Sequence, residues 1–286
     1  MTTELTANGL TFRARSAGPD DGPVVLLLHG FPQTSRCWTA QLEALGAAGY
    51  RAVAVDQRGY SPGARPDDPA AYAMGHLVED VLGFVDALGV ETVDLVGHDL
   101  GAAVSWTVAG HHPDRVRTLT VASAPHPLAF VRAYQARPAA SSGSSASSDQ
   151  NRRSGYIRDF REAPRGQPEE RLLADDAAVL RQAYAGLPEA SVEAHIRDMR
   201  EPGLLVAAVD FYRAMSAKAS AAVPPITVPT LFVWGDADPS VGRDAAEGSA
   251  ELVTGPYRFV VLEGIGHWIP EQAADVFTPL LLEHIA

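Results

Sequence analysis

One residue of the 286 is a cysteine, Cys37, so no disulfide can form within the chain, which suits a reducing compartment. No apolar run is long enough to cross a bilayer. The opening stretch, MTTELTANGL, lacks the charged region and apolar core of a secretory leader. A soluble, cytoplasmic protein with no membrane partner is therefore expected. Positive charge is scarce too: 23 Lys and Arg face 35 Asp and Glu, a formal net charge of −12, and no basic run exceeds the pair Arg152-Arg153. That argues against a nucleic-acid partner and suits a solubilising acidic surface. His76, His111, His112, His126, His195 and His284 show no metal-like spacing. The adjacent pair His111-His112 ends a helix before Pro113, where neighbouring side chains diverge. Neither a metal nor a cofactor is expected, and a monomer or a homodimer fits equally well.

What the chain has is a 46% apolar composition, enough for a full core as one large α/β domain or a domain with an insertion. Alternation over 10–15, followed by a Gly-Pro-Asp-Asp-Gly turn, predicts a strand. Continuous β-rich apolar runs at 24–28 and 51–55 read as strands buried on both faces of a parallel sheet. Further strands are predicted at 92–96, 116–122, 230–234 and 258–262, and helices at 38–48, 74–88, 102–109 and 271–285. Such alternation implies right-handed crossovers. It breaks at Pro125-His126-Pro127. From there to about 222 only helical stretches appear, at 128–136, 154–162, 177–185, 188–200 and 204–215, with a Ser-rich, low-complexity stretch at 139–148 that reads as a mobile loop and could gate a site. The expected organisation is an α/β core of residues 1–126 and 223–286 with a helical cap at 127–222.

The chain is organised around DLVGHDLG, residues 94–101. An apolar strand runs into Gly97-His98-Asp99-Leu100-Gly101 and a helix follows, the form of a sharp turn that thrusts its central side chain out at the carboxyl end of a sheet. That residue is Asp99. A carboxylate needs no deprotonation at neutral pH, is a poor acylating nucleophile, and suits displacement at a saturated carbon. Other polar residues also stand at strand ends, where open α/β sheets bind ligands. His29-Gly30-Phe31-Pro32 follows one strand, Gly235-Asp236-Ala237-Asp238-Pro239 another, and Gly264-Ile265-Gly266-His267-Trp268 a third.

Nucleophile, acid and histidine in the order Asp99, Asp238, His267 resemble the α/β-hydrolase superfamily, over nearly the whole chain. The resemblance implies an α/β-hydrolase fold, a mostly parallel sheet with helices on both faces and a helical cap. It also implies that His267 is oriented by Asp238, with Asp236 as the rival acid, and that the amides of Phe31 and Leu100 form an oxyanion hole. Ser105, on the helix after the turn, is poorly placed to be a nucleophile. His29 and His98 are expected to be structural.

An Asp nucleophile in this superfamily points to epoxide hydrolases or to haloalkane and fluoroacetate dehalogenases. An opened epoxide needs a proton donor, whereas a departing halide needs N–H donors. Tyr156-Ile157-Arg158-Asp159-Phe160 and Val209-Asp210-Phe211-Tyr212-Arg213 resemble the two cap-tyrosine stretches of epoxide hydrolases, which makes Tyr156 and Tyr212 candidate donors. Leu100 departs from the Trp common at that position. Phe31, Trp38, Phe130, Phe160, Trp268 and Ile269 are the expected apolar pocket wall, for a small apolar substrate. The implied reaction opens an epoxide through a covalent ester on Asp99. Its rivals are a dehalogenase with the same nucleophile and a non-catalytic binding protein on this scaffold.

Overall fold

A computed structural model describes residues 2–136 and 148–286. Eight strands form one sheet: β1 (Thr2–Ala7), β2 (Leu10–Ala17), β3 (Val24–Leu28), β4 (Arg51–Val55), β5 (Val93–His98), β6 (Val116–Ala122), β7 (Thr230–Gly235) and β8 (Tyr257–Leu262), in the order β1-β2-β4-β3-β5-β6-β7-β8. β2 pairs antiparallel with both neighbours, and from β4 to β8 every pairing is parallel. β1 is absent from the sequence reading. Its signal is the dipeptide Asn8-Gly9, whose φ values of 51° and 74° give the left-handed pair that closes a tight hairpin.

Strand alternation divides the core in two. Val24, Leu26 and Leu28 of β3, with Val53 and Val55 of β4, face one cluster, whereas Val25, Leu27, Ala52 and Ala54 face the other. The first is covered by α2 (Met74–Ala87) and α3 (Leu100–His111), through Leu77, Phe84 and Trp106. The second is covered by α1 (Thr39–Ala47) and the C-terminal helix Ala274–Ile285, through Leu42, Leu45, Phe277 and Leu281. Both faces of the parallel strands are thus buried, which explains their unbroken apolar runs.

Between β6 and β7 the described residues form helices, apart from an isolated bridge from Ile226 to Val253: α4 (Pro127–Gln135), α5 (Asp149–Arg153), α6 (Gly155–Glu162), α7 (Gln167–Ala183), α8 (Glu189–Met199), α9 (Leu204–Ala214) and α10 (Ala217–Ala221). The Ser-rich stretch read at 139–148 lies outside the described residues except for Ser148, whose hydroxyl caps α5. α7 is longer than the sequence suggested, since Gln167–Leu173 carries few apolar residues, and it is broken at Ala174–Ala177, where three successive residues have φ near +50° to +60°. The insertion is fastened to the core on more than one side: Gln150 and Arg153 of α5 donate to the Ser240 and Asp238 carbonyls at 2.8 and 2.7 Å. Arg36 pairs with Asp198 at 2.8 Å, Arg65 with Glu201 at 2.7 Å, and buried His195 with Glu271 at 2.7 Å.

Leu26 is fully buried at the centre of the sheet, and its truncation leaves a cavity that parallel neighbours cannot collapse into. Leu26→Ala is expected to lower the unfolding free energy by about 2–5 kcal/mol. Val276→Ala, at an exposed helical position, should change it by less than about 0.5 kcal/mol. Urea denaturation of the two variants distinguishes these outcomes.

Candidate active site

The strand order reverses at the centre of the sheet, so β3 and β5 are neighbours and the loops that leave their carboxyl ends meet. Asp99 directly follows β5 with φ 52° and ψ −119°, outside the regions side-chain-bearing residues favour. Three glycines make room for it. A Cβ on Gly30 would overlap the Asp99 side chain, one on Gly101 would enter the Leu28 and His29 carbonyls, and one on Gly97 would stand 2.5 Å from Ser105 Oγ. The backbone therefore holds this turn against local preference, and the carboxylate points into a cavity.

Asp99 Oδ1 accepts the Phe31 amide at 2.8 Å, and the Leu100 backbone also hydrogen-bonds the carboxylate. Its Oδ2 lies 3.2 Å from His267 Nε2. His267 Nδ1 lies 2.7 Å from Asp238 Oδ2. Asp238 in turn accepts the amides of Ser240 and Val241 on its other oxygen, at 2.7 and 3.1 Å. Asp236 is exposed and instead accepts the Gly264 amide. Of the two acids, Asp238 is the one that meets the histidine. Ser105 is buried and donates to the Gly101 carbonyl.

Burial alone would lower the His267 pKa, but Asp238 and Asp99, by charge and hydrogen bond, outweigh it and raise it to about 10. For Asp99 burial works upward, and the His267 hydrogen bond and charge hold it below the ordinary carboxylate value. The free enzyme therefore carries an imidazolium between two carboxylates.

A cavity of about 690 Å³ opens above Asp99, between the sheet edge and the insertion. Tyr156, from α6, and Tyr212, from α9, both line it. Their rings stand 5.9 Å apart at 77°, and the Tyr156 hydroxyl hydrogen-bonds with Tyr212 and Ser240. Burial, together with the charges on Asp99 and Asp238, pushes the Tyr156 phenol up. Burial, then Tyr156 and Asp99, does the same for Tyr212, so both remain protonated donors at neutral pH.

Of the six residues expected in the wall, Phe130 lines the cavity. Phe31 and Phe160 stand behind the tyrosines rather than in the wall, each packed edge-on against Tyr212, at 5.3 and 5.2 Å. Trp268 packs on His267 and donates its indole N–H to the Ala183 carbonyl. Trp38 and Ile269 require correction: both are fully buried in the cluster under the opposite face of the sheet, where Trp38, at the end of a helical turn after β3, packs against Phe277. Wall residues the sequence reading missed include Tyr72, Met74 and Leu77, on the segment after β4, together with Tyr134 and Ser240. No local signal marks the first three, since Tyr72 lies 17 residues beyond the end of β4 and reaches the wall only through tertiary packing. His29 and His98 are both buried, as expected of structural residues.

The alpha/beta hydrolase fold family matches residues 23–274. Epoxide hydrolase A of Mycobacterium tuberculosis (strain ATCC 25618 / H37Rv) is 32% identical, the match covering 98% of this chain and 96% of that protein. Epoxide hydrolase 3 of Mus musculus is 30% identical over 94% of this chain and 72% of its own length. Among solved structures, Epoxide Hydrolase A from Mycobacterium thermoresistibile superposes with a TM-score of 0.82 at 28% identity, covering 100% of this chain and 98% of that one. A novel epoxide hydrolase from metagenomes of hot environments gives 0.87 at 26% identity, with the same coverage.

Because the folded state holds on His267 a proton that an unfolded chain releases near pH ~6.5, this group's stabilisation is complete below that pH. It is lost as pH rises towards the folded value of about 10. The unfolding free energy should therefore fall between pH 7 and 10, with a smaller slope in His267→Gln. Equal slopes in denaturation series at several pH values would contradict the imidazolium. Gly30→Ala should abolish activity, since its Cβ would occupy the space of the Asp99 side chain.

Proposed function

This chain belongs to the α/β-hydrolase fold family, and we propose that it is an epoxide hydrolase that converts an apolar epoxide to a vicinal diol through an ester on Asp99. The observation that carries this reading is a carboxylate, in place of a hydroxyl, sharing one largely apolar cavity with two protonated phenols. The curated epoxide hydrolases among its relatives support the same reaction. A halide-releasing enzyme is less well supported, because no tryptophan lines the cavity among the described residues. The helical insertion acts as the cap. The cavity's volume of about 690 Å³ falls within the range of ordinary small-molecule sites.

In the first step Asp99 Oδ2 attacks one epoxide carbon. The C–O bond breaks, its electron pair moves onto the epoxide oxygen, and Tyr156 and Tyr212 supply hydrogen bonds and a proton. Raised phenol pKa values are no obstacle, since an alkoxide is a far stronger base than a phenolate. Oδ1 stays with the Phe31 amide as the ester carbonyl.

Ester formation removes one of the two carboxylates that hold the proton on His267. Its pKa then falls, and the proton it releases replaces the one spent by the phenols. Neutral His267, oriented by Asp238, takes a proton from water as the water attacks Asp99 Cγ. The oxyanion formed on Oδ1 is held by the amides of Phe31 and Leu100. Collapse breaks the Cγ–Oδ2 bond, protonated His267 gives its proton to the departing alkoxide and regains one from the new Asp99 carboxyl, and the diol leaves with a water-derived oxygen remaining on Asp99. No cofactor takes part in this scheme.

A single turnover in heavy-oxygen water should label Asp99 and leave the first diol unlabelled. Label appearing in that diol, with Asp99 unlabelled, would exclude the ester. His267→Gln should accumulate the ester, visible by intact-protein mass. Tyr156→Phe and Tyr212→Phe should each slow ester formation by about 10–100-fold, and the double variant by more than about 10³-fold. Halide release from haloalkanes without diol formation from any oxirane would replace this reading with a dehalogenase.

A further inference from the structure

We infer that His98 and Ser123 are positioning residues that hold His267 through its main-chain carbonyl. His267 follows Gly264-Ile265-Gly266, whose glycine amides are held by the Asp236 and Gln272 side chains, and Gly264 has φ +70°. Those contacts end one residue short of His267, whose own main chain is held from elsewhere. Two donors converge on the His267 carbonyl oxygen: His98 Nε2 at 2.8 Å and Ser123 Oγ at 2.6 Å. Both side chains are fully buried. Their origin matters: His98 is the last residue of β5, immediately before the nucleophile, and Ser123 directly follows β6. The strand end that presents Asp99 therefore also grips the residue that must meet it.

Ser123 adopts φ +68°, a left-handed conformation unusual for a residue with a side chain. Its amide donates to the Val233 carbonyl of β7 at 3.0 Å, and the strained backbone turns the hydroxyl towards His267. An observed strain at the rim of a site, with the side chain donating to a catalytic loop, fits a positional role better than a packing one. His98 can donate to a carbonyl only when Nε2 carries the proton, and its Nδ1 has no partner. Burial and the neighbouring His267 lower its pKa to about 4, against the opposing charges of Asp99 and Asp238. It therefore stays neutral, 5.1 Å ring to ring from an imidazolium. A second positive charge there would compete with His267 for the same carboxylates.

Four variants test this: His98→Leu and Ser123→Gly remove the donors, His98→Gln retains an N–H on a side chain of similar reach, and Ser123→Thr retains a hydroxyl. Glycine suits the left-handed backbone at 123, so its effect is not one of added strain. NMR titration of the His267 imidazole reports its contact with the two carboxylates directly. Its pKa should drop by a unit or more in His98→Leu and Ser123→Gly, and stay near the wild-type value in His98→Gln.

The kinetic arm rests on the proposed ester mechanism. Rapid-quench single turnovers of a small oxirane should show ester formation within about twofold of wild type and ester hydrolysis slowed about 10–100-fold, because only the second step needs a placed base. Rescue of hydrolysis by His98→Gln or Ser123→Thr would strengthen the assignment. Wild-type titration of His267 in both donor-removing variants, or equal slowing of both steps, would overturn it. Should the wild type turn over no oxirane, the reaction proposed above fails while the titration still decides the role of His98 and Ser123. If His98→Leu does not fold, Ser123→Gly decides alone.

Discussion

The site depends on keeping an imidazolium between two carboxylates in a place where water is nearly excluded. Asp238 and His267 are 1% and 4% exposed, and the row carries one more negative than positive charge. Burying such charges is unfavourable unless each is hydrogen-bonded. Main-chain amides supply most of what is needed: Phe31 and Leu100 for Asp99, Ser240 and Val241 for Asp238. These amides belong to loops at the ends of β3, β5 and β7, so the sheet itself sets their spacing. The three glycines around Asp99 serve the same constraint, because the β3 loop must approach the β5 turn closely for the Phe31 amide to reach the carboxylate.

Much of this was legible in the chain. The apolar runs of the parallel strands, the four polar motifs at strand ends and the order Asp99, Asp238, His267 are local patterns, and local patterns survive folding. The hairpin strand β1 was also written there, in Asn8-Gly9, and was overlooked. Illegible were features set by distant packing. Trp38 and Ile269 lie close in sequence to site residues, yet turn to the far side of the sheet. Tyr72, Met74 and Tyr134 reach the cavity only because α2, α4 and the insertion converge there. No spacing rule links those segments. The carbonyl of His267, which accepts from His98 and Ser123, was hidden for the same reason: main-chain atoms carry no sequence signature.

Charge distribution separates two kinds of work. Asp99, Asp238 and His267 are held by amides and by one another, whereas the rest of the cavity wall is mostly aromatic or aliphatic and comes largely from α2, α4, α6 and α9. Phe31 joins the two groups. Its amide serves Asp99, and its ring supports Tyr212 edge-on at 5.3 Å, so one residue couples the placement of the Asp99 carboxylate to that of the Tyr212 phenol.

The fastening of the insertion along α8 bears on how such a protein changes. Glu271, which holds His195 and Gln33, lies four residues beyond His267, and the Tyr184 hydroxyl reaches the Pro32 carbonyl beside Phe31. Sequence drift in that rear seam would be transmitted to both catalytic loops at once. Among the described residues, Phe130, Val131 and Tyr134 of α4 also line the cavity and make no hydrogen bond to Asp99, Asp238, His267, Tyr156 or Tyr212, so drift there alters the wall and leaves those groups where they are. The architecture thus confines tolerance for new substrates to one flank, and selection for diversity has a route that does not pass through the chemistry.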